Sequence, residues 1–206
     1  MTNSIQRPQI RDLRARRRQQ LVSDVQQVAL SLIETNGFAS TTVDDIARSA
    51  GISTRTFFRY FPSKEDAVLA GNRLLDEAID DIEFTGSISD VLTQLEQVYR
   101  EHLKTLRHMD QTGLRSAQCL IEREPALQDA SAARDAATLR HFKQRLDRTW
   151  PSGNTLAASL AVEVAAATLR AAIEGWRRDT TKQSIDDLIS MFDTARKLLR
   201  EATSQE

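Results

Sequence analysis

Residues 42–64, TVDDIARSAGISTRTFFRYFPSK, constrain the fold of this chain more than any other stretch. Val43, Ile46 and Ala47 stand at i, i+3 and i+4, the spacing of one narrow buried stripe on a short helix. Thr42 precedes that stripe where an N-cap belongs, its hydroxyl placed to accept a free N–H of the first turn. Ala50, Gly51 and Ile52 break the pattern, and Gly51 supplies the permissive backbone of a tight turn. Ser53 or Thr54 then caps a second helix of about seven residues that must end before Pro62. This second helix carries Arg, Thr and aromatic side chains where a core helix would be aliphatic. Two short helices around a Gly turn form a helix-turn-helix, whose second helix enters the DNA major groove. The same pattern also fits a plain αα-hairpin inside a larger helical protein.

The remainder of the chain weighs on that choice. Residues 1–64 hold ten Lys and Arg (Arg7, Arg11, Arg14, Arg16, Arg17, Arg18, Arg48, Arg55, Arg59, Lys64) against five acids (Asp12, Asp24, Glu34, Asp44, Asp45), a balance of +5. The whole chain is at -1, so the rest carries -6. A basic amino-terminal third on an acidic body describes a localised polyanion-binding face that the overall charge hides. The six Arg between residues 7 and 18 are a solvated tail or, ahead of a helix-turn-helix, an arm for phosphates or the minor groove. We expect residues 1–11 to be this flexible arm and residues 12–62 to form a compact three-helix unit. The first helix covers about 12–36, with Val22, Val25, Val28, Ala29, Leu32 and Ile33 buried and Gly37 ending it.

From residue 63 on, long segments follow a 3.6-residue period and none shows sustained strand alternation, so the expected class is all-α, with about nine helices in total. Ser63 caps a helix spanning 63–83 that would act as a lever between the two halves. A clean amphipathic helix follows at 88–107, with His102 inside its apolar face. His102 is either a hydrogen-bonded core residue or part of a ligand cavity. Further helices are expected at 114–124, 125–149, 155–179 and 184–203. The small residues of 155–179 and the wide apolar arc of 184–203 fit a subunit interface. Glu163, Arg170, Glu174 and Arg177 share one face, either a solvated stripe or a self-complementary seam across a two-fold axis. Residues 63–206 are thus expected to be an effector-binding and dimerisation domain.

Several function classes lack support. His102, His108, His141 and the lone Cys119 show no metal-ligand spacing. No Gly-rich phosphate loop and no nucleophile with a recognisable base is present, so neither a cofactor nor enzymatic activity is expected. A single Cys cannot form an internal disulfide, which fits a reducing compartment. With no apolar run approaching the roughly 18 residues of a span, no membrane partner is expected and the localisation reads as cytoplasmic.

Residues 37–69, GFASTTVDDIARSAGISTRTFFRYFPSKEDAVL, resemble the amino-terminal signature of TetR-family transcriptional regulators. The likeness rests on the aromatic after Gly37, Thr42, Ile46-Ala47, the Ala50-Gly51-Ile52-Ser53 turn, the Thr56, Phe58 and Tyr60-Phe61 positions, and Lys64-Glu65. It covers about fifty residues; the C-terminal part resembles the family in layout only. The TFFRYFPSKED wording and the layout of that part also resemble a subgroup described as acyl-CoA-like-ligand-binding. The resemblance implies a homodimeric repressor on a palindromic double-stranded DNA operator, paired through the last two helices and released by a small apolar or amphipathic effector. It places Thr42, Thr56, Tyr60 and Lys64 at phosphates and Ser53, Thr54, Arg55 and Arg59 on or beside the groove-facing side; Arg14, from the Arg-rich run 7–18, is a further expected DNA contact. Arg55 is the first choice for a bidentate contact to guanine and Arg59 the second. Phe58 stands where a Tyr is common, so a phosphate bond there is lost, and Phe58 and Phe61 are expected to pack. Periodicity offers Tyr99, His102, Leu103, Met109, Leu114, Gln118, Cys119, Phe142 and Trp176 as walls of an effector cavity, each equally readable as plain core. A DNA-binding regulator without an effector, an activator, a helical-bundle enzyme and a helical adaptor remain as other readings.

Overall fold

The computed structural model describes residues 6–70, 73–80, 82–108, 111–150, 155–181 and 184–203. These residues form ten α-helices with one 3-10 turn at Leu106–His108 and no strand among them. The chain divides into two compact units, Met1–Gly71 with Ser116–Ala130, and Asn72–Arg115 with Ser131–Glu206.

In the first unit α1 (Gln6–Asn36) begins earlier than expected. Residues 6–11, expected in a flexible arm, are helical, and Pro8 is tolerated because the first turn of a helix needs no N–H from it. Val25, Ala29, Leu30 and Ile33 form the buried face, and Gly37 closes the helix at φ 82°, donating its N–H to the Ile33 carbonyl at 2.8 Å. α2 (Val43–Ser49) starts from a capping box in which Thr42 and Asp45 satisfy each other's backbone N–H groups. Gly51, at φ 67°, turns the chain into α3 (Thr54–Tyr60), capped by Ser53. Ile46, Ala47, Phe57 and Phe61 are buried between these helices, with the Phe57 and Phe61 rings 5.2 Å apart. α4 (Lys64–Val68) packs on α1, where the buried Gln26 amide donates to the Val68 carbonyl at 2.6 Å.

The expected lever helix is not continuous. α4 closes at Leu69, whose φ -87° and ψ 13° leave the helical path, and α5 (Arg73–Asp80) is a separate element. The apolar face of α4, with Ala67, Val68 and Ala70, belongs to the first core, whereas Leu75 and Ile79 of α5 belong to the second. The first unit thus runs past residue 62 because those side chains close its core.

The second unit is built on α6 (Ile88–Thr105), α9 (Thr155–Arg178) and α10 (Ile185–Thr203), which pack on one another. α6 opens with a Ser87–Asp90 capping box, and Gly86 before it has φ 91°, where a Cβ would lie 2.6 Å from the Asp90 carboxylate. α7 (Gln111–Arg123) and α8 (Pro125–Thr149) each contribute to both units, because Ser116–Ala130 is counted with the first. Along α8, His141 meets Asp80 at 2.9 Å, Arg145 donates to the Ile82 carbonyl at 3.0 Å and the Trp150 indole donates to the Gly86 carbonyl at 2.9 Å. These three contacts fasten the α5–α6 connection to α8.

α9 corrects one expectation: it is long and apolar enough to cross a membrane by length and composition, with a mean hydropathy of 1.6 over 18 residues. Its Ala158, Ala161, Val162, Ala165, Ala166, Ala172 and Trp176 lie in the unit's core. The small side chains let α6 and α10 approach closely. Most of the wide apolar arc of α10 is absorbed in the same way, with Ile185, Leu188, Ile189 and Phe192 buried and Met191 and Ala195 half-buried against them. What stays exposed is Leu198 on α10 and, on α9, Leu156 (78% exposed) and Leu160 (54%) one turn apart.

Candidate nucleic-acid interface

α3 is held from behind and clear in front. The inward Phe57 and Phe61 fix its rotation, and the Thr54 hydroxyl donates to Asp44 of α2 at 2.7 Å, tying the two helices across the turn. The Ser53 hydroxyl accepts the Thr56 N–H at 3.1 Å and shares a 2.9 Å bond with the Thr56 hydroxyl. On the opposite face Arg55, Phe58 and Arg59 are exposed, at the i, i+3, i+4 spacing that puts three side chains on one side of a helix. Arg55 has no hydrogen bond or ion pair among the described residues, so its five donors are available. The Arg59 guanidinium lies over the Tyr60 ring, 4.9 Å from its centroid, and donates to the Tyr60 hydroxyl at 3.3 Å.

The other expected DNA contacts have partners of their own. The Thr42 hydroxyl donates to Asp45 at 2.5 Å, and the hydrogen bonds from its side chain and backbone, with Arg48 nearby, hold the Asp45 carboxyl below its ordinary range. The Lys64 ammonium donates to the Phe38 carbonyl at 2.7 Å and the Thr41 carbonyl at 3.1 Å, and sits 4.1 Å from the Phe38 ring centroid. It therefore clamps the α1–α2 loop, with one of its three protons left to donate. Arg17 is exposed and Arg18 half-buried on α1; Arg14 lies in the helix, but its side chain is outside the described residues. The expectation that Phe58 and Phe61 pack is met in the core by Phe61 alone; Phe58 keeps an edge contact to Phe57 but remains 52% exposed.

The expected effector-cavity residues separate between the units. Tyr99, His102, Leu103, Phe142 and Trp176 lie buried in the second, with the Tyr99 and Phe142 rings 5.4 Å apart. Gln118 and the exposed Cys119 are counted with the first unit, because Ala117, Leu120 and Ile121 turn the face of α7 into that core. Met109 and the side chain of Leu114 lie outside the described residues. The Trp176 indole donates to the Ser184 carbonyl at 3.1 Å, and Arg115 stacks on its ring at 5.0 Å while donating to the Trp176 and Asp179 carbonyls at the end of α9. His102 is 5% exposed, its Nδ1 buried without a partner, and burial pushes its pKa down to about 4. The imidazole is therefore neutral at pH 7.

Sequence reasoning missed Glu96. It is 1% exposed on α6 and accepts from Arg196 at 2.8 Å and Arg200 at 3.0 Å, both on α10. Arg196 also meets Asp193, which Arg100 of α6 holds from the other side at 2.9 Å. Burial raises the Asp193 pKa, but Arg100 and then Arg196 outweigh it and leave the group below its ordinary range. The signal was present: Glu96 follows Leu92 by four residues and precedes Tyr99 by three, inside the apolar stripe. The Glu163 to Arg177 stripe also finds partners within the chain, Lys143 for Glu163 at 2.9 Å and Arg177 and Arg178 for Glu174.

Residues 27–70 match the family described as bacterial regulatory proteins, tetR family. The HTH-type transcriptional regulator TcmR of Streptomyces glaucescens is 32% identical over 127 residues, which cover 58% of this chain and 54% of that protein. The HTH-type transcriptional regulator EthR of Mycolicibacterium smegmatis is 55% identical over 42 residues, 20% of this chain and 19% of its own. Across these and a mycobacterial regulator matched at 25% of its length, the chain spans from about a fifth to about half of the curated relatives it matches. Among solved structures, a transcriptional regulator of the TetR/AcrR family from Aquifex aeolicus VF5 has a TM-score of 0.53 at 16% identity, over 87% of this chain and 99% of that one. At that identity the likeness speaks for the fold: a helix-turn-helix unit followed by a helical C-terminal part.

Proposed function

We propose that this TetR-family chain is a cytoplasmic, ligand-responsive repressor that binds a palindromic DNA operator as a dimer. The observation that carries the reading is the face of α3: Arg55, Phe58 and Arg59 stand outward together, on a helix locked by Phe57, Phe61 and the Thr54–Asp44 bond. Such a helix enters a major groove without rearranging, and its electrostatic attraction to the duplex comes from the +5 balance of residues 1–64. Arg55 presents its planar fork to guanine O6 and N7, while Thr56, Tyr60, the spare donor of Lys64 and the arginines of α1 meet phosphates. Pairing of two chains is supported by the exposed Leu156 and Leu160 of α9 and Leu198 of α10. The effector is taken to be small and apolar or amphipathic, because the core that holds Tyr99, Phe142 and Trp176 is apolar.

An effector releases DNA only by binding the DNA-incompetent arrangement more tightly, and moving occupancy from 99:1 to 1:99 takes about 5.5 kcal/mol of differential binding. With the 63–83 segment interrupted after Leu69, no single lever helix spans it to carry that change.

The reading is tested with a duplex recovered from a random pool by the purified chain. Arg55→Ala is expected to cost about 1–3 kcal/mol on that duplex and to relax preference at one base pair per half-site. An equal loss on recovered and random duplexes would move Arg55 from base reading to phosphate contact.

A further inference from the structure

Phe58 is an apolar ring kept in water at the centre of the face that, on the proposed function, meets DNA. Phe57 and Phe61, one turn apart, are buried at 0% and 2%, while Phe58 between them is 52% exposed. It is not loosely placed: its ring stands at 87° to that of Phe57, with centroids 5.7 Å apart, the edge-to-face arrangement aromatic pairs prefer. Phe58 offers no hydrogen-bond donor, so a phosphate gains nothing from it. The apolar group that a duplex projects into the major groove is the thymine C5-methyl, and base readers meet it with alanine, the threonine methyl or phenylalanine. Arg55 is three residues before Phe58, which sets their Cβ atoms about 5–6 Å apart on one helix face. The rise of a duplex is about 3.4 Å per step, so the two side chains reach bases one or two steps apart.

We propose that Phe58 is a specificity-determining residue whose ring packs on the C5-methyl of a thymine one or two steps from the guanine met by Arg55. The inference rests on the DNA-reading function above and adds what that function leaves open, a preference for thymine through its methyl group. It also gives a role to the Phe that stands where the family commonly has Tyr.

The test uses the full chain and the duplex it recovers from a random pool, with each thymine replaced singly by 2′-deoxyuridine. That exchange removes one methyl and keeps the base pairing. We expect one position per half-site to weaken binding about fourfold, the equivalent of one buried carbon at ~0.8 kcal/mol, and the pair of symmetric positions about 16-fold. In Phe58→Ala the same exchange should have no effect, and the variant should lose more affinity for the recovered duplex than for random duplex. Phe58→Leu should retain part of the thymine preference. The inference is overturned if the native chain tolerates every exchange. It is equally overturned if the sensitive position stays sensitive in Phe58→Ala, or if that variant loses recovered and random duplexes alike. A pool that is never enriched would overturn the DNA-reading function itself, and this inference with it.

Discussion

Protonating His102 means placing a charge in the core of the second unit, and its pKa of about 4 expresses that penalty. The folded value lies below the unfolded value of about 6.5, so between these two the unfolded chain holds more protons. The stability tied to a neutral His102 is therefore complete above about pH 6.5 and is lost as the pH falls toward 4. We expect the native chain to lose roughly 2–3 kcal/mol more than His102→Leu between pH 7 and pH 4, measured by urea unfolding at both values. Parallel losses in the two proteins would assign the acid sensitivity to carboxylates elsewhere. The sequence placed His102 on an apolar face but left its role open, because periodicity reports a direction and not a partner. Arg55, named from the sequence, is exposed on α3. The sequence did not show that Phe58 stays outward, since the four aromatics in TFFRYF look alike until the Ser53 cap and the paired Phe57 and Phe61 fix the rotation of the helix.

Among the elements, the short connections were the least legible. The amphipathic segments of α6, α8, α9 and α10 appear nearly where the 3.6-residue period put them, because each buries a long face and the period is sampled many times. The α4–α5 break was not visible, since the apolar spacing runs on through Leu69 and Leu75 although the two sides serve different cores. The α7–α8 junction was also missed as part of the first unit. Leu127 there is fully buried with Val25, Phe57 and Val68 in that unit's core. Leu127→Ala should destabilise this core by about 2–5 kcal/mol. Native-state hydrogen exchange is expected to show lost protection in α1 to α4, with the amides of α9 and α10 unchanged. Equal loss in α9 and α10 would place Leu127 in the other core.

At the scale of the whole molecule, charge and apolar surface are divided by task. The basic balance of residues 1–64 sits with the helix-turn-helix, and the remainder carries -6. Exposed leucines on α9 and α10 mark the surface proposed to pair two chains, and a two-fold pair of α3 helices would read a sequence that repeats in inverted order. That division makes one measurement decisive. The purified chain is incubated with a pool of random duplexes at physiological salt, and the retained molecules are amplified and sequenced over successive rounds. The account predicts enrichment of an inverted repeat whose half-sites each contain a guanine with a thymine one or two steps away. A pool that stays random through successive rounds, or one enriched in a single unrepeated site, would contradict a paired reader built on α3.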